Sequence, residues 1–315
     1  MLAQAAASTR AKALVDSMVA GRGQNTARIA LKEIALYPVP YYRAARVTPR
    51  IHAEGLNITN VPTQLRQLLT RMCKWVELDL AQSQIAVNAR RWHVEEVQTL
   101  LGRADFAFWD DLMVHLGVNL SALGKEDYEL FKGILKESVY GVVYGMGKRR
   151  IRQFGHKGGI PVDVAEVVAR ACGRPADVVG ARIMSHRVVK PMLAARRVYF
   201  ERIKAEGGMR DAFNRGLRLQ ANQNPGALLA IDAQAIELRL LEPVIDAAIH
   251  ERDSGSRSFS IVVWQHDGFS IAVRDQARKQ GWVDRLQRLV AERAERVDIA
   301  TMLVPKVGLS EQKSI

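Results

Sequence analysis

The chain has 315 residues and a formal net charge of +13, with Lys and Arg spread along its length. This size predicts one large domain or two small ones, and the charge suits a polyanionic partner, although charge that only confers solubility would look the same. No apolar run approaches the roughly 20 residues of a membrane span, and residues 1–7 do not read as a signal peptide, so we expect a cytoplasmic protein with no membrane partner.

Hydrophobic periodicity predicts a mainly helical first half with one buried strand. Helices are expected twice within residues 1–40 and again at 63–74, 83–101, 105–117 and 125–143. The strand is expected at 74–80, and glycines punctuate the segment after 144. The second half has predicted helices at 162–205, 227–250 and 275–296, and strands at 258–264, 269–273 and 297–305. Strands so far apart, with helices between them, predict an α+β fold with an antiparallel sheet and a mostly helical insertion at about 100–225.

Two aspartates lie where predicted strands end. Asp79 closes a hydrophobic run that begins at Trp75, and Asp267 lies in a His-Asp-Gly turn between two apolar strands. Each has an ordinary alternative, because Asp79 could cap the helix that begins near Ser83 and Asp267 could simply shape a hairpin. Nucleotidyl transfer uses two divalent metals about 3.5–4 Å apart on shared carboxylates. Only in combination with other motifs do the two aspartates indicate such a site.

Lys132, Lys136, Tyr140 and Tyr144 recur every four residues along a predicted helix, and Gly145 follows. Four residues turn a helix by about 400°, so the side chains form one slowly spiralling stripe. Two ammonium groups followed by two phenols suit the phosphates and the base of a nucleoside triphosphate. A solvated lysine face with aromatic rings packed inward is the alternative. We expect Gly145 to leave space for a base at the helix end.

These segments together resemble the polymerase domain of family A DNA polymerases, over about residues 46–308. The fingers helix of that family resembles Lys132-x-x-x-Lys136-x-x-x-Tyr140-Gly141-x-x-Tyr144-Gly145. The family's first carboxylate and its His-Asp motif resemble Asp79 and His266-Asp267. Its Thr-Gly-Arg segment is similar to Thr48-x-Arg50 followed by Asn57-x-x-Asn60-x-Pro62.

The resemblance implies a right-hand polymerase with an antiparallel palm sheet, helical fingers and a reduced or absent thumb. It divides the chain into a helical N-terminal segment (1–45), a first palm part (46–100), fingers (101–225) and a second palm part (226–315). The N-terminal segment would be a thumb remnant or a partner contact. A second polypeptide could supply the thumb or a processivity function.

The resemblance also implies site residues. The expected ligands of two Mg²⁺ ions, which Mn²⁺ could replace, are Asp79, Asp267 and the backbone carbonyl of Leu80. The expected nucleotide-binding residues are Lys132, Lys136, Tyr140, Tyr144 and Gly145. The expected contacts to the primer–template are Arg50, Asn57, His266, Gln223 and Gln234. The last two have the alternative of being ordinary surface polar residues.

Some residues depart from the family pattern. Ala86 stands where the family has a glutamate that screens out ribose, and the spacing from Asp79 to Ser83 and Ile85 instead resembles single-subunit phage-type RNA polymerases. Gly268 replaces the glutamate of the family's His-Asp-Glu. The choice between deoxyribonucleotides and ribonucleotides therefore stays open.

We predict template-directed nucleotidyl transfer, namely primer extension by a two-metal mechanism in a minimal, phage- or plasmid-like DNA polymerase without exonuclease. Two alternatives stay open: a single-subunit RNA polymerase or primase-like enzyme on the same scaffold, and a non-catalytic nucleic-acid-binding subunit.

Overall fold

The computed structural model describes residues 1–18, 20–45, 48, 51–145, 154–155, 161–162, 173–265 and 267–306. The helices are α1 (Leu2–Ala7), α2 (Thr9–Asp16), α3 (Arg22–Leu36), α4 (Thr63–Met72), α5 (Ser83–Arg91), α6 (Glu95–Leu101), α7 (Phe108–Leu116), α8 (Lys125–Val143), α9 (Ala176–Ser185), α10 (Val189–Glu206), α11 (Gly226–Asp253) and α12 (Lys279–Arg296). The strands are β1 (Tyr42–Ala44), β2 (Ile51–Ala53), β3 (Val76–Leu80), β4 (Phe154–Gly155), β5 (Pro161–Val162), β6 (Gly208–Arg210), β7 (Gly216–Arg218), β8 (Phe259–Trp264), β9 (Gly268–Val273) and β10 (Leu303–Pro305).

The chain forms two compact units. Unit 1 comprises Met1–Ser83, Glu237–Val297 and Thr301–Ile315, and unit 2 comprises Gln84–Ile236 and Asp298–Ala300. Because the units are defined by packing alone, the four functional parts expected from the sequence stay a prediction.

Unit 1 contains a four-stranded antiparallel sheet in the order β10-β3-β9-β8. Successive side chains of a strand point to opposite faces. Leu78 of β3 pairs with Phe269 of β9, and both are fully buried. Glu77 and Asp79 therefore share the other face of β3. This sheet confirms the predicted antiparallel α+β arrangement.

The N-terminal helices of unit 1 pack on α4. Ser8 caps α2, since its Oγ accepts a hydrogen bond from the Ala11 backbone N at 3.1 Å. The helices meet through a buried cluster that includes Ala6, Ala27 and Leu65, and small alanine side chains let helices approach closely. This cluster stabilises the helix that leads into β3.

Unit 2 is mainly helical. Helix α8 spans the predicted residues, and its buried face carries Leu135, Val139 and Val142, each fully buried. These positions are spaced by three and four residues, as expected for one face of a helix. Among the described helices, none combines the length and the apolar character needed to cross a membrane.

Two element predictions are wrong in detail. The helix predicted over 83–101 is split into α5 and α6, because His93 adopts a left-handed φ of 55° between them. The strand predicted over 297–305 is present only as β10, and Asp298, with a φ of 56°, interrupts the extended backbone before it.

Candidate functional site

Strand β3 carries two acids on one face of the unit 1 sheet. Glu77 is 3% exposed, and the side chain of Asp79 is 13% exposed. On β9, Ser270 lies opposite Glu77 and Gly268 lies opposite Asp79. A Cβ on Gly268 would lie 2.4 Å from the Leu78 carbonyl oxygen and 2.6 Å from Asp79 Oδ1. Glycine is therefore needed at 268 for β9 to approach the acidic face.

Asp267 lies in the connection between β8 and β9. The Leu80 N–H donates to the Asp267 carbonyl oxygen at 2.9 Å, and the Gln265 N–H donates to the Gly268 carbonyl oxygen at 2.8 Å. These bonds fix the turn beside the end of β3. The backbone of Asp267 therefore lies beside the end of β3, one residue before the ladder partner of Asp79.

Leu80 was expected to offer its backbone carbonyl to a metal. It lies opposite Leu303 in the β3–β10 ladder and is 3% exposed. Its role as a metal ligand stays a prediction.

Lys306, which the sequence did not single out, lies beside these acids. Its N–H donates to the Glu77 carbonyl oxygen at 2.9 Å, which continues the β3–β10 pairing. Its Nζ lies 3.3 Å from both Glu77 Oε1 and Asp79 Oδ2. Burial lowers the pKa of Lys306, but the charges of Asp79, Glu77 and Asp267 outweigh it, so the pKa is raised overall. One ammonium group therefore lies within electrostatic range of three carboxylates.

Glu77 is held by further partners. Arg66 Nε lies 3.4 Å from Glu77 Oε1, and Gln265 Nε2 donates to the same oxygen at 3.1 Å. Two cationic side chains, Arg66 and Lys306, therefore lie beside this one buried carboxylate. Glu77 therefore fits a structural acid that positions Lys306. A charged residue in the middle of a buried strand was the sequence signal for such a network, since a buried charge requires partners.

The donor chemistry of the acidic face fits magnesium held partly by substrate. Asp79 and Asp267 supply carboxylate oxygens, which hard cations prefer, and Mg²⁺ commonly takes one or two protein carboxylates together with waters and substrate phosphates. Within the described ranges, no group of three or more His, Cys, Asp or Glu side chains is placed to hold a metal ion. The glycine at 268 keeps a side chain from filling the space next to Asp79 Oδ1.

Helix α8 in unit 2 carries the lysine–tyrosine stripe. Lys132 Nζ lies 3.9 Å from Glu129 Oε1, and Lys136 Nζ lies 5.8 Å from the ring centroid of Tyr140. The Tyr140 ring packs edge-on against Trp109, with centroids 6.0 Å apart. The phenols are thus partly engaged in packing, while the lysine side chains are half-buried.

The end of α8 is held by hydrogen bonds to two asparagine side chains. Asn88 Nδ2 donates to the Tyr144 hydroxyl at 2.8 Å, and Asn224 Nδ2 donates to the Tyr144 carbonyl at 3.2 Å. Gly145 has a φ of 102°, and a Cβ there would lie 2.8 Å from Asn224 Nδ2 and 3.0 Å from Phe200 Cζ. A side chain at position 145 would thus meet Asn224 and Phe200, and the expected space for a base at the helix end stays a prediction. Glycine is needed for its backbone conformation and for this close packing.

Asn57 is used inside its own loop. Its Oδ1 accepts hydrogen bonds from the N–H and the hydroxyl of Thr59, both at 2.8 Å, and its Nδ2 donates to the Glu54 carbonyl at 3.0 Å. The residue is 5% exposed. The structure gives Asn57 a local role, and its contact with a duplex stays a prediction.

The remaining candidates are placed as follows. Gln223 Oε1 accepts from the Gln220 N–H at 3.0 Å in the turn before α11. Gln234 lies on α11, and its Oε1 is buried with no hydrogen-bond partner among the described residues. Arg50 and His266 lie outside the described residues.

No protein-family model matches the sequence, and no curated protein matches it. Among solved structures, the fold is similar to the POL domain of Pol1 from M. smegmatis in complex with a DNA primer-template and dNTP, with a TM-score of 0.62 and 14% identity. The match covers 90% of this chain and 50% of that chain, so this chain spans about half the length of the solved chain. At this identity the similarity establishes a polymerase-domain fold and not membership of a particular family.

Proposed function

We propose that this chain is a nucleotidyltransferase that extends a primer on a nucleic-acid template, with DNA polymerase activity of the family A type. The observation that supports the proposal is that Asp267 directly precedes Gly268, the ladder partner of Asp79, and that Lys306 lies within electrostatic range of both carboxylates, in a fold of the polymerase-domain type. The sequence alone offered an ordinary alternative for each aspartate, and the electrostatic interaction of Lys306 with both carboxylates supports a shared site.

In the proposed reaction, the 3′-hydroxyl of the primer attacks the α-phosphorus of the incoming nucleotide. The bond from that phosphorus to the bridging oxygen breaks, pyrophosphate leaves, and the hydroxyl proton passes to solvent. When bound, Mg²⁺ supplies charge neutralisation at the attacking and leaving oxygens. Asp79 and Asp267 would hold it, and Lys306 would orient Asp79 through their ion pair.

Lys132 and Lys136 are proposed to bind the triphosphate, since ammonium groups stabilise the charge of phosphates. The proximity of Lys136 to the Tyr140 ring restrains the ammonium group. We therefore expect Lys136→Gln to raise the KM for the nucleotide.

The test is primer extension by the full chain with Mg²⁺ or Mn²⁺, supplied with either deoxyribonucleotides or ribonucleotides. Asp79→Asn and Asp267→Asn should each lower incorporation about a thousandfold, since a lost metal ligand removes several kcal/mol of transition-state stabilisation. Asp253→Asn is the matched control, because that side chain is 60% exposed and pairs only with its neighbour Arg252 in the described contacts.

Incorporation by the two aspartate variants at the wild-type rate would reject the proposal. Extension from ribonucleotides alone would support the RNA polymerase alternative. No incorporation by the wild-type chain under any of these conditions would support the non-catalytic subunit.

A further inference from the structure

A basic cavity in unit 2 is lined by none of the side chains assigned above. Its volume is about 670 Å³, and it is lined by the end of α5, by α10 and by the β6–β7 hairpin. Its charged lining residues, four arginines and one glutamate, are Arg91, Arg202, Glu206, Arg210 and Arg218. Such an excess of positive charge favours an anionic ligand.

Two of these arginines are balanced by acids. Arg91 Nε lies 2.7 Å from Asp232 Oδ2, and Arg202 Nε lies 2.8 Å from Glu206 Oε1. Arg210 instead donates to the Asn214 carbonyl at 2.9 Å, a neutral partner. Among the described residues, no carboxylate forms an ion pair with Arg210 or with Arg218. These two guanidinium groups therefore retain charge that a ligand can use.

The β6–β7 hairpin aims both arginines in one direction. In the antiparallel register, Arg210 lies opposite Gly216 and Arg218 lies opposite Gly208. Opposite residues, and residues two apart on one strand, share a face of a β-ribbon. Arg210 and Arg218 thus project from the same face, and each faces a glycine. No side chain across the ribbon covers either of them.

Tyr199 adds an aromatic surface to the same cavity. Its hydroxyl donates to the Arg91 carbonyl at 2.6 Å, and its ring lies against Trp92 with centroids 6.2 Å apart. The phenol is therefore held in place while the residue stays half-buried. Fixed aromatic rings beside cations are the usual components of a groove that binds single-stranded nucleic acid.

We propose that this cavity binds the sugar–phosphate backbone of a single-stranded nucleic acid, with Arg210 and Arg218 on its phosphates and Tyr199 against a base. The cations come from separate elements, which suits an extended strand better than one compact phosphate group. The class of ligand rests on the proposed function, but binding to this cavity requires no catalysis.

The test uses the register of the hairpin. Gly216→Glu places a carboxylate directly opposite Arg210, whereas Gly216→Gln adds a neutral side chain of the same size. A Cβ at 216 meets nothing within 4 Å, so both side chains start from open space. Binding of a fluorescein-labelled oligothymidylate is followed by anisotropy in EDTA between about 50 and 200 mM salt. Thermal unfolding compares the stability of the two variants.

Gly216→Glu should weaken binding about tenfold, as expected for one lost charge-assisted contact. It should also lower the slope of log affinity against log salt by about 0.7 per lost phosphate contact. Gly216→Gln should stay close to the wild type. Equal affinities and slopes for the two variants would overturn the proposal.

If Gly216→Glu unfolds at a lower temperature than Gly216→Gln, the binding assay uses Arg218→Gln instead, because Arg218 is exposed. Its control is Arg278→Gln, since the Arg278 side chain is 77% exposed. The outcomes expected of Arg218→Gln are the same. Pyrophosphate and dATP serve as competitors. Displacement of the oligonucleotide by either as effectively as by unlabelled strand would make the cavity a small-anion site and overturn the proposal.

The proposed function and the proposed binding at the cavity can be tested independently. Asp267→Asn should bind the oligonucleotide like the wild type even though it should not extend a primer. A chain that never incorporates nucleotides but shows the expected difference between the Gly216 variants would reject the function and retain the cavity.

Discussion

Replacing Lys306 by methionine should destabilise the protein and strengthen its response to divalent cations. Methionine keeps an unbranched apolar side chain but lacks the ammonium group that lies 3.3 Å from Glu77 Oε1 and Asp79 Oδ2. The two acids then lose the cation that they share, and their mutual repulsion is no longer offset.

The magnitude follows from the geometry. At 3.3 Å, each charge pair has a Coulomb energy of about 5 kcal/mol at an effective dielectric constant of about 20, before the cost of desolvation. Removing one partner of a buried pair generally costs about 3 to 5 kcal/mol. The Lys306 side chain is 28% exposed, and Glu77 keeps Arg66 and Gln265, so solvent screening reduces the expected loss to about 2 kcal/mol.

The sign of the pH dependence is fixed by the raised pKa of Lys306. A lysine with a raised pKa in the folded state stabilises fully below its unfolded pKa of about 10.4. The contribution is lost only as the pH rises through the higher folded value. At neutral pH the whole difference between wild type and Lys306→Met should therefore be visible.

The assay is thermal unfolding in EDTA and in MgCl₂. A shift of about 2 to 4 °C per kcal/mol predicts a midpoint at least about 4 °C lower for Lys306→Met in EDTA. Mg²⁺ should restore more stability to this variant than to the wild type, because a cation would replace the ammonium group beside Asp79. Lys306→Arg, which keeps the charge, is the control. Equal midpoints for Lys306→Met and wild type in EDTA would refute the stabilising role, and equal Mg²⁺ shifts would refute competition at Asp79.

Three other changes have defined outcomes. Gly268→Ala should lower the free energy of unfolding in urea by about 1 to 3 kcal/mol and reduce primer extension, because the added Cβ would lie 2.4 Å from the Leu78 carbonyl oxygen. Wild-type values in both assays would contradict this. Ser83→Ala should cost about 1 to 3 kcal/mol in urea unfolding, because Ser83 Oγ donates to buried Glu237 Oε1 at 2.6 Å; an unchanged midpoint would argue against that bond. Burial lowers the pKa of the His186 imidazole to about 4, and the neighbouring Asp111 carboxylate offsets only part of this shift. The free energy of unfolding should therefore fall by on the order of 3 kcal/mol as the pH drops from about 6.5 to about 4. His186→Asn should flatten this part of an acid titration followed by urea unfolding, and a slope equal to that of the wild type would contradict the assignment.

Elements with strong local signals were predictable from the sequence. Helix α8 matches its predicted bounds because its amphipathic pattern is long and regular. The bounds of β8 and β9 lie within one residue of those predicted, because two apolar runs flank a clear turn. The antiparallel sheet was predicted because the strands lie far apart in the sequence with helices between them. By contrast, the left-handed backbone at His93 carries no periodic signal, so the break between α5 and α6 was missed.

Features that depend on distant packing were not predictable. Lys306 reaches Glu77 only through the β3–β10 register, and no local pattern relates the two residues. The packing of Asn224 and Phe200 against Gly145 was also not predictable, because both residues are distant from it in the sequence. The side-chain bonds of Asn57 likewise depend on a loop conformation that the motif alone does not specify.

The shared lysine has a consequence for biosynthesis. The ribosome produces the strand with Glu77 and Asp79 long before it produces Lys306, so a nascent chain holds two neighbouring acids without the cation that they share. Burying them at that stage is costly, and the sheet becomes favourable only when its outermost strand docks. Nascent chains in which Lys306 has not yet been made should therefore lack both a stable β3–β10 pairing and an ordered acidic face.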